Sequence, residues 1–333
     1  MNDNLDDLFD EKKLDKAIIK GKLKSTMRTA IISLVITLIV IILGSYFNNK
    51  ISLKMSEQTF KDNQDFIKLT VPNGFISQSI DNIGFLGGKG TYKVSKSLGY
   101  KSIVVQERQS VFGYSLSSPM LKFLGYLPNF PVSRSFGGYT EMKFEDGWQV
   151  HYSENGYRSM MFFHPEIKYN GYKDDLSKLD EISDDMLIEL AISFDKSYKD
   201  SQVQSLLGNK VNISWYWLDA FTNEDMKAHR QLAEISDANC AYIPAFNAIG
   251  VNVSPQHFET GYTELMDLLK NTRLERYKIM YNDMMANGYK DYKGSYEVPI
   301  LGAIVYGTKS ELKVLIGNPA IKASSFGVVT SKY

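Results

Sequence analysis

Four histidines, a single cysteine, a glycine cluster and a pair of tryptophans are where chemistry would have to start in this sequence. His151, His164, His229 and His257 lie at no metal-ligand spacing, and neither H-E-x-x-H nor Cys-x-x-Cys occurs. They read as ordinary loop or strand residues. Cys240 is alone, so no intrachain disulfide framework is available and the fold must hold by packing. A nucleophile-elbow hydrolase would need G-x-S-x-G, which is absent. Gly84, Gly87, Gly88 and Gly90 look at first like a phosphate loop. Position 83, five before Gly88, is Ile rather than Gly, and Lys89 is followed by Gly90 rather than Ser or Thr. A turn or bulge is the expectation. No catalytic residue, cofactor or metal ligand is assigned, and the chain is not expected to be an enzyme.

Trp215 and Trp217 alternate on one predicted strand and share a face, with Tyr216 pointing the other way. Exposed, they would form an exterior ligand groove able to stack on sugar rings. Buried, they supply core area, the usual use of large aromatics.

Positioning any of these residues falls to a chain with 38 basic and 38 acidic side chains, so no global basic field gathers nucleic acid. The dominant feature is the uncharged run Thr29–Asn49, rich in Ile, Leu and Val on all sides. As a helix its 21 residues reach about 30 Å, the thickness of a bilayer's hydrocarbon core. A transmembrane helix is expected. A buried core helix and a cleaved signal peptide are the alternatives, the second offering only Gly44 and Ser45 as a weak cleavage site. Residues 12–28 carry seven basic groups against the single acid Asp15, whereas 48–68 carries four lysines, which places the amino terminus in the cytoplasm and the rest outside.

The first eleven residues are acidic, with Leu5, Leu8 and Phe9 at i, i+3, i+4 spacing among Asp3, Asp6, Asp7, Asp10 and Glu11. Leu14, Ala17 and Ile18 fall on roughly the opposite side of the same ideal helix, so two short pieces are expected rather than one. Such a segment is either a solvated tail or a piece that folds on a partner with an apolar groove rimmed by basic residues.

Beyond the span, residues 50–70 are polar and weakly periodic, a stalk or helical extension. Residues 71–170 read as a β-rich domain: VPNGFIS, the glycine cluster, SIVVQE, WQVHYS and SMMFFHP are short strand-like pieces. GYLPNFPVSRSFGGY between them is a boundary or long loop. Residues 175–333 read as α+β. MLIELAISF, DSQVQSLL and KVNISWYWLDA predict strand, short helix and strand, as do ILGAIVYG, KSELKVLI and IKASSFGVV. The two blocks correspond at a constant offset of 109: Val203, Leu206, Leu207, Gly208 and Asn209 match Leu312, Leu315, Ile316, Gly317 and Asn318. Each Gly-Asn pair should stop its helix, and Thr308 with Glu311 should form a capping box. ETGYTELMDLLKNTRLERYKIMYNDMM is one long helical candidate. The expected fold is α+β, an amino-terminal transmembrane helix followed by ferredoxin-like strand-helix-strand units.

The run FDEKKLDKAIIKGKLKSTMRTAIISLVITLIVIILG resembles the amino-terminal domain of the sigma factor regulator family, membrane-bound anti-sigma factors of Bacillus and Clostridium relatives. In that family such an opening leads into the membrane helix, and a Pro-Asn segment like VPNGFIS follows. LAISFDKSY, ISWYWLDAF and the ending GTKSELKVL…IKASSFGVV resemble the family's second domain. The resemblance implies that residues 1–28 hold an extracytoplasmic-function sigma factor inactive while the exterior domains perceive an envelope condition. Carried onto this chain, it matches Phe9, Asp10, Glu11, Lys12, Lys13 and Leu14 and makes Leu5, Leu8, Phe9, Asp10, Glu11 and Leu14 the sigma contacts. The inner segment is small and has no His/Cys zinc motif, so beside the lipid bilayer two arrangements stay open: the chain inhibits alone, or it works with a companion membrane protein. The alternative function is an envelope-anchored ligand- or glycan-binding module.

Overall fold

The computed structural model describes residues 11–113, 139–208, 211–235, 241–253, 257–289 and 298–332. It opens on one unbroken helix, α1 (Glu11–Thr70). The most apolar eighteen-residue stretch of this helix has mean hydropathy 2.6, and none of it is buried by the rest of the chain. That exposure rules out a core helix of a soluble body. From Glu11 onward the leader continues into the membrane helix without a break, so Leu14, Ala17 and Ile18 belong to α1; Leu5, Leu8 and Phe9, the other expected piece, lie outside the described residues.

Past the span the same helix changes character. Ser52, Ser56, Asn63, Ile67 and Thr70 are buried, and their 4-7-4-3 spacing places them on one face of a 3.6-residue helix. The expected stalk is therefore a packed element. Its partner is an antiparallel ribbon of three strands, β1 (Gly74–Gly84), β2 (Gly87–Leu98) and β3 (Lys101–Gly113), in the order β1-β2-β3. The glycine cluster forms the β1–β2 hairpin, with Gly84 paired to Gly87 across the two-residue turn Phe85-Leu86.

The carboxy-terminal body is built on a five-stranded sheet. In chain order the strands are β4 (Tyr139–Glu145) and β5 (Trp148–Ser153), which pair as a separate hairpin, then β6 (Met161–Phe162), β7 (Met186–Tyr198), β8 (Asn212–Leu218), β9 (Ile243–Pro244), β10 (Gly250–Asn252), β11 (Ile300–Thr308) and β12 (Ile321–Ser331). The sheet order is β10-β8-β11-β7-β12 with every pair antiparallel, and β6 pairs with β9. The helices are α2 (Asp200–Leu207), α3 (Asn223–Ile235), α4 (Phe258–Asn271), α5 (Glu275–Ala286) and the short α6 (Lys309–Leu312). The units β7-α2-β8 and β11-α6-β12 thus interleave as β8-β11-β7-β12, the strand order of a ferredoxin-like split βαβ pair.

Gly208 and Gly317 end the two repeat helices with φ of 74° and 77°, left-handed values that favour glycine. The Asn318 side chain donates to the Leu206 carbonyl (2.9 Å), tying the second repeat to the first. Asn209 lies outside the described residues. The capping box forms: the Glu311 carboxylate accepts the Thr308 N–H at 2.7 Å. The long helical candidate is two helices, because Thr272, Arg273 and Leu274 leave the helix between α4 and α5.

Both faces of the sheet are covered. Ile188, Leu190, Ile192, Phe194, Tyr216, Leu218 and Val305 pack under α2, α4, α5 and the 309–315 turn. On the reverse face, Ala191, Trp215, Trp217, Leu301 and Ile304 meet Met160, Phe162, Ile243 and Ala245. Trp148, Val150, Phe163 and Tyr169 form an adjoining cluster with Met226 and Ala233 of α3. The stretch from Trp148 to Tyr169 therefore packs with the carboxy-terminal sheet.

Candidate functional site

Of the six residues expected to contact a sigma factor, Leu14 has a described side chain. It is 54% exposed on α1, one turn before the exposed Ile18. Leu5, Leu8, Phe9 and Asp10 lie outside the described residues, and the Glu11 side chain is likewise not described. Trp215 and Trp217 are 3% and 0% exposed and pack against Phe162 with tilted rings. They are core residues without surface to offer a sugar ring, which corrects the exterior-groove expectation. Among the described residues no group of three His, Cys, Asp or Glu side chains could hold a metal ion.

What the structure adds is a contact along the helix that sequence reading passed over. Asn63 is the hub of a polar seam between α1 and the ribbon. Its Oδ1 accepts from Arg108 Nε (2.6 Å) and Ser110 Oγ (3.0 Å). Its Nδ2 donates to the Thr59 carbonyl (2.8 Å). The Arg108 guanidinium lies 4.1 Å from the centre of the Phe66 ring. Two turns back along α1, Ser56 Oγ donates to the Asp81 carboxylate of β1. Burial, with the Asp81 carboxylate alongside, pushes the Tyr92 phenol well above its ordinary 10.0, so it stays neutral. Burial lowers Arg108 from its ordinary value. Ser52 Oγ and Arg108 Nη1 are buried without a hydrogen bond among the described residues, while the Tyr92 phenol meets the Asp81 carboxylate.

Matched lengths make this seam possible. From Asn48 to Thr70 the helix rises about 33 Å at 1.5 Å per residue, and the ten steps of β1 from Gly84 to Gly74 cover about 33 Å at 3.3 Å each. Both ends are pinned. Near the span, Asn48 bonds the hairpin turn. At the far end Asn73, in the VPNG elbow, donates through its N–H to Asn252 Oδ1 (3.3 Å) and through Nδ2 to Ser214 Oγ (2.8 Å). The ribbon is also fixed to the body by the buried Lys96–Glu189 pair (2.5 Å, side chains 9% and 2% exposed), whose second carboxylate oxygen accepts the Val328 N–H. Ile67, Val94, Leu98, Ile103, Val105, Leu187 and Val328 close an apolar cluster around that junction.

A cavity of ≈ 480 Å³ lies where helix, ribbon and body meet. Its volume is in the range of small-molecule sites. Phe66, Val71, Val105, Phe246 and Leu274 give it apolar walls. Gln106, 7% exposed, faces it with a carboxamide that has no hydrogen-bond partner among the described residues, and Asn247 is in the same position while half-buried. Arg276 and its acidic neighbour Glu275, both exposed, also line it. An apolar space with unused amide groups and a nearby cation suits a small molecule with an apolar body and an anionic end. One wall is the end of α1, through Phe66 and Thr70.

Fold and site together define a class: a single-pass membrane protein whose one long helix, after its span, docks lengthwise on a ribbon fixed to an α+β body. Residues 15–103 match the family described as Sigma factor regulator N-terminal, and residues 179–328 match Sigma factor regulator C-terminal. The chain belongs to the sigma factor regulator family, and an anti-sigma role in general terms follows from that membership. No curated protein and no solved structure matches the chain.

Proposed function

We propose that this protein is an anti-sigma factor that sequesters an extracytoplasmic-function sigma factor on its cytoplasmic residues 1–28 and senses an envelope condition through the body on the other side of the membrane. The observation that carries the reading is the continuity of α1. A single helix runs from Glu11 through the span to Thr70, where it ends at the cavity. A change in how its last five turns pack is mechanically connected to the leader. The positive-inside bias of residues 12–28 supports the orientation, and the acidic, apolar-striped leader suits competition for a basic surface on the sigma factor. The cavity is the candidate site for the stimulus. The leader inhibits either alone or together with a companion membrane protein.

The test replaces Leu8 and Phe9 together with Asp. The expected outcome is release of sigma-dependent reporter transcription with membrane insertion and protein level unchanged. Unchanged reporter output from a correctly inserted double variant would contradict the sequestration reading.

A further inference from the structure

We infer that the Phe85-Leu86 turn of the β1–β2 hairpin is a second membrane contact, seated in the interfacial layer of the bilayer beside the end of the span. The depth of this turn is set by hydrogen bonds to the membrane helix itself. Asn48, next to the last residue of the uncharged run, accepts the Leu86 N–H on Oδ1 (2.6 Å) and donates from Nδ2 to the Gly84 carbonyl (3.0 Å). The turn therefore stands level with the point where α1 leaves the hydrocarbon. That one side chain satisfies the Leu86 N–H and adds a bond to the Gly84 carbonyl, lowering the cost of placing the turn on the low-polarity side of the interface.

The side chains at this level are apolar and uncovered. Phe85 is 58% exposed and Ile83 38% exposed, while Tyr46 and Phe47 of α1, within a turn of Asn48, are 61% and 56% exposed. In water this cluster leaves apolar area unburied; at the lipid boundary it forms an anchoring belt around the emerging helix. Lys89 and Lys50 flank it in sequence, suitably placed for lipid phosphates. Leu86 takes φ = 50°, a left-handed turn geometry costly for a branched residue, and this holds Phe85 and Leu86 at the tip. The cluster is continuous with the membrane-crossing helix, which is why the bilayer is its occupant.

The consequence reaches beyond anchoring. The ribbon is joined to the bilayer at one end and to the body, through Lys96–Glu189 and Asn73, at the other. It thus provides a second path from membrane to body alongside the helix.

The experiment uses the full chain in phosphatidylcholine liposomes, with Cys240→Ser and a single probe site. Phe85→Cys carries an environment-sensitive fluorophore, and Val314→Cys, 52% exposed on the body, is the reference. Expected at 85 are a blue-shifted emission, loss of emission with a shallow nitroxide-labelled lipid, and shielding from aqueous iodide. The reference should behave in the opposite way on all three. Iodide quenching at 85 equal to that at 314, with no lipid quenching, would overturn the inference. Shielding from iodide without lipid quenching would overturn it too, since it would mean that protein covers the tip. Retention of one cooperative thermal transition in the labelled chain confirms that the probe reports a folded hairpin.

Discussion

The helix–ribbon seam and the carboxy-terminal sheet solve the same packing problem in opposite ways. The sheet is apolar on both faces, covered by helices on one side and by aromatic layers on the other. The seam is built on Ser52, Ser56 and Asn63 against Asp81, Tyr92, Arg108 and Ser110. Ser52 Oγ and Arg108 Nη1 are buried there without a hydrogen bond among the described residues. Each such group costs about 1–3 kcal/mol relative to a satisfied one, so the seam relies on polar pairing where the sheet relies on apolar burial.

The largest expected effect tests the junction between the two regions. Lys96→Met leaves the Glu189 carboxylate, 2% exposed, with only the Val328 N–H, and should cost about 3–5 kcal/mol, because a buried charge loses its partner. Adding Glu189→Leu should recover most of that loss. Chemical denaturation of the full chain measures both. If the single variant is as stable as the parent, the ribbon is not anchored through this pair.

A smaller and more local effect is expected from Asn63→Ala. Arg108 Nε and Ser110 lose their acceptor, at about 1–3 kcal/mol. Hydrogen exchange should quicken at residues 52–70 and in β1–β3, with β7, β8, β11 and β12 unchanged. Equal acceleration in the sheet would mean that seam and body form one cooperative unit, which would remove the contrast.

The carboxy-terminal units were legible because their signals are local and apolar. Val203 and Leu207 at helical spacing, a Gly-Asn stop and the Thr308–Glu311 box each appear within a few residues, and the offset repeat implied the interleaved order. The seam was not legible for a physical reason. Hydrophobic periodicity is blind to a buried face made of Ser and Asn, so 50–70 read as a stalk although 52, 56, 63, 67 and 70 lie on one helical face. The α4–α5 break at Thr272 contains no Gly or Pro to announce it. Alternation could show that Trp215 and Trp217 share a face but not which layer covers that face; it took the pairing of β6 with β9, 81 residues apart at Phe162 and Ile243, to bury them. The cavity was beyond reach for the same reason, since Phe66, Gln106 and Asn247 meet only in three dimensions.

The division of one polypeptide between two compartments is tested most directly by labelling from one side. Lys16→Cys and Val314→Cys, each in a Cys240→Ser background, are treated on intact cells with a membrane-impermeant maleimide. The account predicts that position 314 reacts at once and position 16 only after permeabilisation. Reaction of both in intact cells, or of neither until lysis, would put the leader and the body on the same side and contradict it.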